Sequence, residues 1–330
     1  MSYDPKVLRT ANARLEARRA AHQAEQARLR REVYARLPRV AEIDAQLRQS
    51  TIQVISAALK QGTDPAPVIR VLRDRSLELQ AERAELLTAA GYPLDALDER
   101  PLCPKCGDTG WQGARMCQCL KQLCTQAQIE QLSSLLPLGE QSFDTFDLDF
   151  YSPRPWPQQE LSPRENMEMV RDICYRYASR FSCGELKNLL LSGAPGLGKT
   201  FLSACIAREV SQQGFSVVYD TAGSIFSQFE AQKFERDPAA RDGTRRYLGC
   251  DLLILDDLGS EMTTPFVQSA LYTLINSRLV ADRRTVISTN LSVAELGRRY
   301  TPQIASRLEG EFRILPFYGE DIRLQKKNRA

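Results

Sequence analysis

The sequence contains no apolar run long enough to cross a bilayer, and its opening MSYDPKVLRTANARLEARRA lacks the apolar centre of a secretory signal. Both absences predict a cytoplasmic protein with no membrane partner. Charge of one sign is lacking too: 44 basic side chains face 41 acidic ones, for a formal net charge of +3. Global electrostatics therefore announces no nucleic-acid partner, and any such surface must be local. There is no tandem repeat and no low-complexity tract beyond a mild Ala/Arg bias at the front, which sets repeat architectures aside.

What is present divides into blocks. The length of 330 residues exceeds one ordinary domain and suits a nucleotide-binding core with a further unit before it. From about Pro5 to Ala90 the chain is rich in Ala, Arg, Glu, Gln and Leu, which lose little side-chain entropy in a helix. Val33, Leu37, Val40, Ile43, Leu47, Val54 and Ile55 fall on one stripe, and a second helix over 66–87 is expected to pair with the first across the Gly62–Pro65 break. The basic run Arg28, Arg30, Arg31, Arg36 and Arg39 reads as a solvated helix face, with an acidic or nucleic-acid partner as the alternative. Pro153, Pro155, Pro157 and Pro163 mark a linker that no helix continues through.

Beyond the linker, apolar strands alternate with amphipathic stretches, as in a parallel sheet with crossover helices. Strands are expected at 188–191, 216–219, 252–255, 285–288 and 313–315. The first leads into Gly193-Ala194-Pro195-Gly196-Leu197-Gly198-Lys199-Thr200 and a helical segment. Strand, then G-x-x-x-x-G-K-[ST], then helix is the phosphate-binding loop, in which glycines let backbone amides point at a phosphate and the helix dipole adds positive potential. Lys199 is expected to reach the β- and γ-phosphates of ATP, and the Thr200 hydroxyl to ligate Mg²⁺. Leu252–Leu255 ends in Asp256 and Asp257. Asp256 is the candidate for holding Mg²⁺, and Asp257 for polarising the attacking water. Because aspartate stands where many such enzymes have the longer glutamate, slow ATP hydrolysis is expected. No N-K-x-D guanine signature follows, so a GTPase is excluded, while a small-molecule kinase leaves Ser288-Thr289-Asn290 and Ser306-Arg307-Leu308 without work.

The strand ending at Asn290 resembles the sensor 1 strand of AAA+ ATPases, and the Ser306-Arg307-Leu308 segment resembles the one carrying their arginine finger. The likeness implies that Arg307 reaches a neighbouring subunit's γ-phosphate, which requires self-association. Arg298, Arg299 and Arg313 compete for the role, and a surface pairing with Glu309 or Glu311 is the bland reading. Little sequence follows Arg313, so the fold class expected is an α/β, P-loop AAA+ parallel-sheet core without a full lid domain. Arg323 is a weak candidate beside the phosphates.

Nine cysteines in a reducing compartment argue against a disulfide framework. Cys103, Cys106, Cys117 and Cys119 offer four soft thiolates on two short turns, and tetrahedral Zn²⁺ is the favoured occupant. Cys124 is an alternative to one of the second pair, and free thiols or an iron–sulfur cluster are the competing readings.

Together the front helices, the C-P-K-C-G-D-T-G segment with C-x-C, the loop from Gly193 to Thr200, Leu255-Asp256-Asp257-Leu258-Gly259 and Ser306-Arg307-Leu308 resemble the bacterial DnaC and DnaI replicative helicase loaders. The core is similar to IstB transposition ATPases. The resemblance implies a front domain that grips a DnaB-type helicase and a core that binds single-stranded DNA, with ATP as the switch. Phe226, Phe229, Lys233, Phe234, Arg236, Arg245 and Arg246 are candidates for the DNA-facing surface, with an ordinary amphipathic helix as the alternative. An IstB-like helper acting on duplex DNA, or a zinc-module adapter with structural nucleotide, are the competing functions. The expected organisation is a helical region over 1–95, a zinc module over 96–135, a linker over 136–165 and the ATPase core over 166–330.

Overall fold

The computed structural model describes residues 3–59, 66–136, 138, 141–234 and 238–329. Two compact units emerge: Arg14–Cys117, and Met1–Ala13 together with Gln118–Ala330. Among the described residues no helix is long and apolar enough to cross a membrane.

The front of the chain forms α1 (Pro5–Arg36), α2 (Pro38–Leu59) and α3 (Ala66–Ala89). Proline at the first position of α1 leaves no amide wasted, and the Asp4 carboxylate accepts from the Lys6 amide at 2.8 Å. The stripe from Val33 to Ile55 was expected on one helix, but it is split at Pro38, whose ring cannot accept a preceding helical turn. Within the Arg14–Cys117 unit, Val33, Val40, Leu87 and Leu97 share one buried cluster. α2 and α3 are also tied by Arg39 to Glu82 at 2.7 Å and Arg83 to Asp44 at 2.8 Å. The Gly62–Pro65 break and the Ile55 side chain lie outside what is described.

The basic run is occupied within its own unit. Arg28 pairs with Glu25, Arg30 with Glu99, and Arg39 with Glu42 and Glu82. Arg31 donates to the Ala27 carbonyl and Arg36 lies over the Tyr92 ring. The solvated-face reading accounts for these arginines.

After a two-stranded ribbon, β1 (Trp111–Gln112) with β2 (Arg115–Met116), comes α4 (Gln118–Ser133). α5 (Pro163–Ser179) then leads into the parallel-sheet core. Here the sequence reading is corrected: Pro163 starts a helix at its first position, beneath a reciprocal capping box between Ser162 and Glu165. The remainder alternates β3 (Asn188–Gly193), α6 (Lys199–Gln212), β4 (Val217–Thr221), α7 (Ala222–Phe234), α8 (Pro238–Gly249), β5 (Leu252–Leu258), α9 (Pro265–Val280), β6 (Arg284–Thr289), α10 (Val293–Arg299), α11 (Pro302–Glu311), β7 (Arg313–Phe317) and α12 (Ile322–Arg329).

The five strands lie in the order β4-β5-β6-β3-β7, all parallel. This is an α/β core built on a parallel sheet, with the P-loop at the carboxyl end of β3. Leu189, Leu190, Leu191, Leu252, Leu253, Ile254 and Leu255 are buried on both faces, as a sheet covered by helices on each side demands. Most strands run two or three residues past their expected carboxyl ends, because backbone pairing continues after the apolar run stops. Ser192 still pairs with Thr289 and Thr221 with Asp256. Those extra polar residues form the rim from which the site is built.

At the β4 edge the Gln128 side chain takes the place of a further strand. Its Oε1 accepts from the Val217 amide at 2.9 Å, and its Nε2 donates to the Phe215 carbonyl at 2.9 Å. A second device sits at the back of the core. Arg278 on α9 is 1% exposed and donates to the carbonyls of Tyr247 (2.5 Å), Cys250 (3.2 Å) and Arg284 (2.6 Å) and to Thr285 Oγ1 (3.0 Å). It fastens the end of α8 to the start of β6.

The region between β4 and β5 corrects part of the expected DNA surface. Phe226 is buried in the core and Phe229 is half-buried, stacked on Tyr247. Arg246 is drawn inward to Asp4 at 3.2 Å and Asp220 at 2.9 Å. Lys233 stands over the Phe266 ring at 5.0 Å, and Arg245 is exposed. The Phe234 side chain and Arg236 lie outside what is described. Alternating burial along α7 and α8 is what an amphipathic packing helix produces.

Candidate nucleotide and metal sites

The loop between β3 and α6 turns tightly because its glycines take conformations closed to other residues. Gly196 has φ +76°, and a Cβ there would stand 2.0 Å from the Asp321 carboxylate. Gly198, at φ +92°, would press a Cβ to 2.7 Å from the Tyr151 hydroxyl. Two segments remote in sequence brace the loop: Tyr151 donates to the Leu197 carbonyl at 2.9 Å, and the Ile322 amide at the start of α12 donates to the Gly196 carbonyl at 3.0 Å.

The first residue of α6, Lys199, turns back under the loop. Its ammonium donates to the carbonyls of Gly193 (2.5 Å) and Ala194 (2.8 Å) and to Asn290 Oδ1 (2.7 Å). Only 8% of Lys199 is exposed. Burial pushes its pKa down to about 8, against the pull of Asp257 and Asp256, with Arg323 lowering it further. Asn290 passes the contact on, donating from Nδ2 to Asp257 Oδ1 at 2.9 Å. Asp257 holds φ +56°, a strained conformation for a residue with a side chain, and its amide donates to Ser288 Oγ at 2.9 Å.

Asp256 receives three hydroxyl groups: Ser288, Tyr219 at 2.6 Å and, more loosely, Thr200 at 3.4 Å. Burial and the neighbouring Asp256 raise the Tyr219 pKa far above neutrality, so its hydroxyl remains a donor. Thr200 and Asp256 thus offer a hydroxyl and a carboxylate oxygen side by side, the hard donors that a divalent cation such as Mg²⁺ prefers. These groups line one cavity of about 580 Å³, whose remaining wall includes Phe146, Phe150, Tyr151, Ile322, Arg323 and Lys326.

The expected residues Gly193–Thr200, Asp256, Asp257 and Asn290 are therefore brought together. Arg307 is not: it lies on α11, its guanidinium 5.3 Å from the Tyr272 ring, beside a separate cavity of about 520 Å³. Among its competitors, Arg299 donates to the Glu261 carbonyl at 2.7 Å, and Arg298 and Arg313 are exposed. Sequence reasoning missed Tyr219, Ser288, Tyr151 and Asp321. Ser288 belonged to a quoted strand tip, but the others carry no local signal.

The thiol sulfurs of Cys103, Cys106, Cys117 and Cys119 all lie within 4.8 Å of one another, with Cys103 and Cys117 at 3.8 Å. Four sulfurs about 2.3 Å from one tetrahedral Zn²⁺ would stand about 3.8 Å apart, so the donor set fits that ion. Asp108 organises the first turn by accepting from the Leu102 and Cys103 amides at 2.9 and 2.7 Å, and Gly107 supplies the left-handed residue after Cys106. Cys124 is outside the group. It is fully buried, and burial pushes its thiol up to about 11.

Residues 176–330 match the family described as IstB-like ATP binding protein. This part of the chain is similar to that family. Curated relatives include the replicative helicase loader DnaI of Bacillus subtilis, 28% identical over 145 residues, covering 44% of this chain and 46% of DnaI. The replicative helicase loader DnaC of Escherichia coli K12 is 25% identical over 134 residues, covering 40% of this chain and 54% of DnaC. The chain thus spans about half the length of the curated relatives it matches. The crystal structure of the DnaC helicase loader aligns with a TM-score of 0.44 at 22% identity, covering 53% of this chain and 98% of that one. The matched residues contain the whole loop from Gly193 to Thr200 with Asp256, Asp257, Asn290 and Arg307.

Proposed function

We propose that the protein is an ATP-switched helicase loader, cytoplasmic, binding a DnaB-type replicative helicase and single-stranded DNA. The observation that carries this reading is the hydrogen-bonded line from Lys199 through Asn290 to Asp257. A γ-phosphate drawing the Lys199 ammonium away from the Gly193 and Ala194 carbonyls would also reset Asn290 and the carboxylate it holds. Presence or loss of that phosphate is thereby reported to the end of β6, and α10 and α11 follow it. The names of the DnaC and DnaI relatives supply the partner class.

Within this reading, Lys199 and the loop amides bind the phosphates, while Thr200 and Asp256 hold Mg²⁺, which offsets phosphate charge when bound. Asp257 orients the water for hydrolysis and Asn290 senses the phosphate. Arg307 completes the site of an adjacent subunit, consistent with its lying away from the cavity of its own chain. Capture of the replicative helicase from lysate, with and without ATP, tests the reading. An ATP-dependent complex is expected, and absence of any helicase under both conditions rejects it. The IstB family match favours a second reading, a transposition helper acting on duplex DNA. ATP-dependent coating of duplex, with no helicase bound, would select that alternative.

The thiol cluster is proposed to hold structural Zn²⁺, closing the segment around Cys103–Cys119. Metal analysis of purified protein should give about one zinc per chain, as a closed four-thiolate site requires. Cys103→Ser should lose it and Cys124→Ala should keep it. Zinc retained by the first variant, or lost from the second, would reassign the ligands.

A further inference from the structure

The 580 Å³ cavity is lined by Lys199, Thr200, Asp256, Asp257 and Asn290, and its lining also includes the aromatic side chains Phe146, Phe150 and Tyr151. Phe146 lies against Tyr151 with ring centroids 5.7 Å apart, and Phe150 is overlaid by the Lys326 ammonium at 5.2 Å. Tyr151 also grips the phosphate loop through the Leu197 carbonyl, so this wall is continuous with the loop. A flat heterocycle attached to a loop-bound phosphate would be received here, since ring faces stack favourably on aromatic side chains.

The same cavity is lined by Gln141, and its Oε1 is buried with no hydrogen-bond partner among the described residues. A buried acceptor left without a donor is costly, and one that lines a ligand cavity is matched when the ligand brings the donor. We propose that Gln141 is the base-reading residue of the nucleotide site, selecting adenine over guanine through its side-chain amide. The inference deepens the nucleotide reading above and rests on it.

The chemistry is specific. Along its N6/N7 edge adenine offers one donor and one acceptor, which a glutamine amide meets with Oε1 and Nε2 together. Guanine offers two acceptors along that edge, O6 and N7. Whichever way the amide turns, Oε1 would face a guanine lone pair, and the buried oxygen would remain unmatched. Aromatic contact favours either purine alike and cannot make the distinction.

Equilibrium binding of ATP, GTP and ITP, each with Mg²⁺, is measured on the full chain and on the Gln141→Leu, Gln141→Glu and Lys199→Ala variants. Wild-type protein should prefer ATP to both 6-oxo purines. Gln141→Leu should shrink that preference about tenfold, equivalent to about 1.4 kcal/mol, by weakening ATP binding with little change for GTP. Gln141→Glu keeps the acceptor for the adenine amino group but lacks the donor to N7, so it should retain part of the preference and also serves if the leucine variant does not fold. An ATP-to-GTP ratio unchanged in both Gln141 variants would overturn the inference. If Lys199→Ala has meanwhile lost all three nucleotides, the nucleotide reading stands without it. Wild-type protein that binds none of the three would reject both.

Discussion

Replacing Lys199 with alanine should weaken ATP binding by about a hundredfold or more, the usual scale for removing one member of a buried, hydrogen-bonded charge contact. The ammonium occupies the floor of the phosphate loop and is the hub through which Asn290 and Asp257 are held. A pH dependence accompanies it. In the free protein burial brings the Lys199 pKa down to about 8. A triphosphate binds the charged ammonium and raises that pKa, so nucleotide binding takes up a proton above pH about 8. Affinity should be level around pH 7, where the amine is already protonated, and fall by up to tenfold per unit as pH rises through 8 to 9. Calorimetry in buffers of different protonation enthalpy reads both the affinity and the proton. Level affinity from pH 7 to 9, with no proton uptake, would contradict the assignment, and so would undiminished binding by Lys199→Ala.

The second large effect concerns stability rather than ligand. Arg278→Leu should destabilise the parallel-sheet core by about 3–5 kcal/mol, because it strands three carbonyls and the Thr285 hydroxyl in one place. Among the described residues no carboxylate pairs with this guanidinium, so the loss comes from unmatched carbonyls and not from an opposing charge left unpaired. For a core of this size the melting temperature should drop by about 10 °C. Arg298→Leu, at an exposed position on α10, provides the control and should move stability by less than about 0.5 kcal/mol. Equal behaviour of the two variants in thermal and urea denaturation would show that the Arg278 contacts are not structural supports.

These two residues also mark the limits of reading a sequence. Lys199 was legible because the loop's chemistry is contiguous: strand, glycines, lysine and helix follow one another within a dozen positions. Asp256, Asp257 and Asn290 were legible because each ends an apolar strand, and parallel strands deliver their carboxyl ends to one rim. Arg278 carried no such mark. An arginine in an apolar helix looks the same whether it snorkels to water or caps carbonyls inside, and only the packing of α8 and β6 decides. Tyr219, Tyr151, Gln141 and Asp321 reach the site through folding of distant segments, so no spacing rule could collect them. Pro163 was misread because proline stops a helix behind it and starts one ahead of it with equal ease. Phe226 and Arg246 were misread because an aromatic and basic composition suits a buried face with an internal ion pair as well as it suits a nucleic-acid groove.

The glutamine at the margin of the sheet has a consequence for how copies of this chain could meet. By occupying the amide of Val217 and the carbonyl of Phe215, Gln128 behaves as a dummy rung that ends the ladder with a side chain. An incoming strand finds that rung already taken and would have to evict a residue that is 2% exposed. Growth of the sheet from one molecule into the next is thereby blocked at this border, which leaves side-chain surfaces as the means of assembly there.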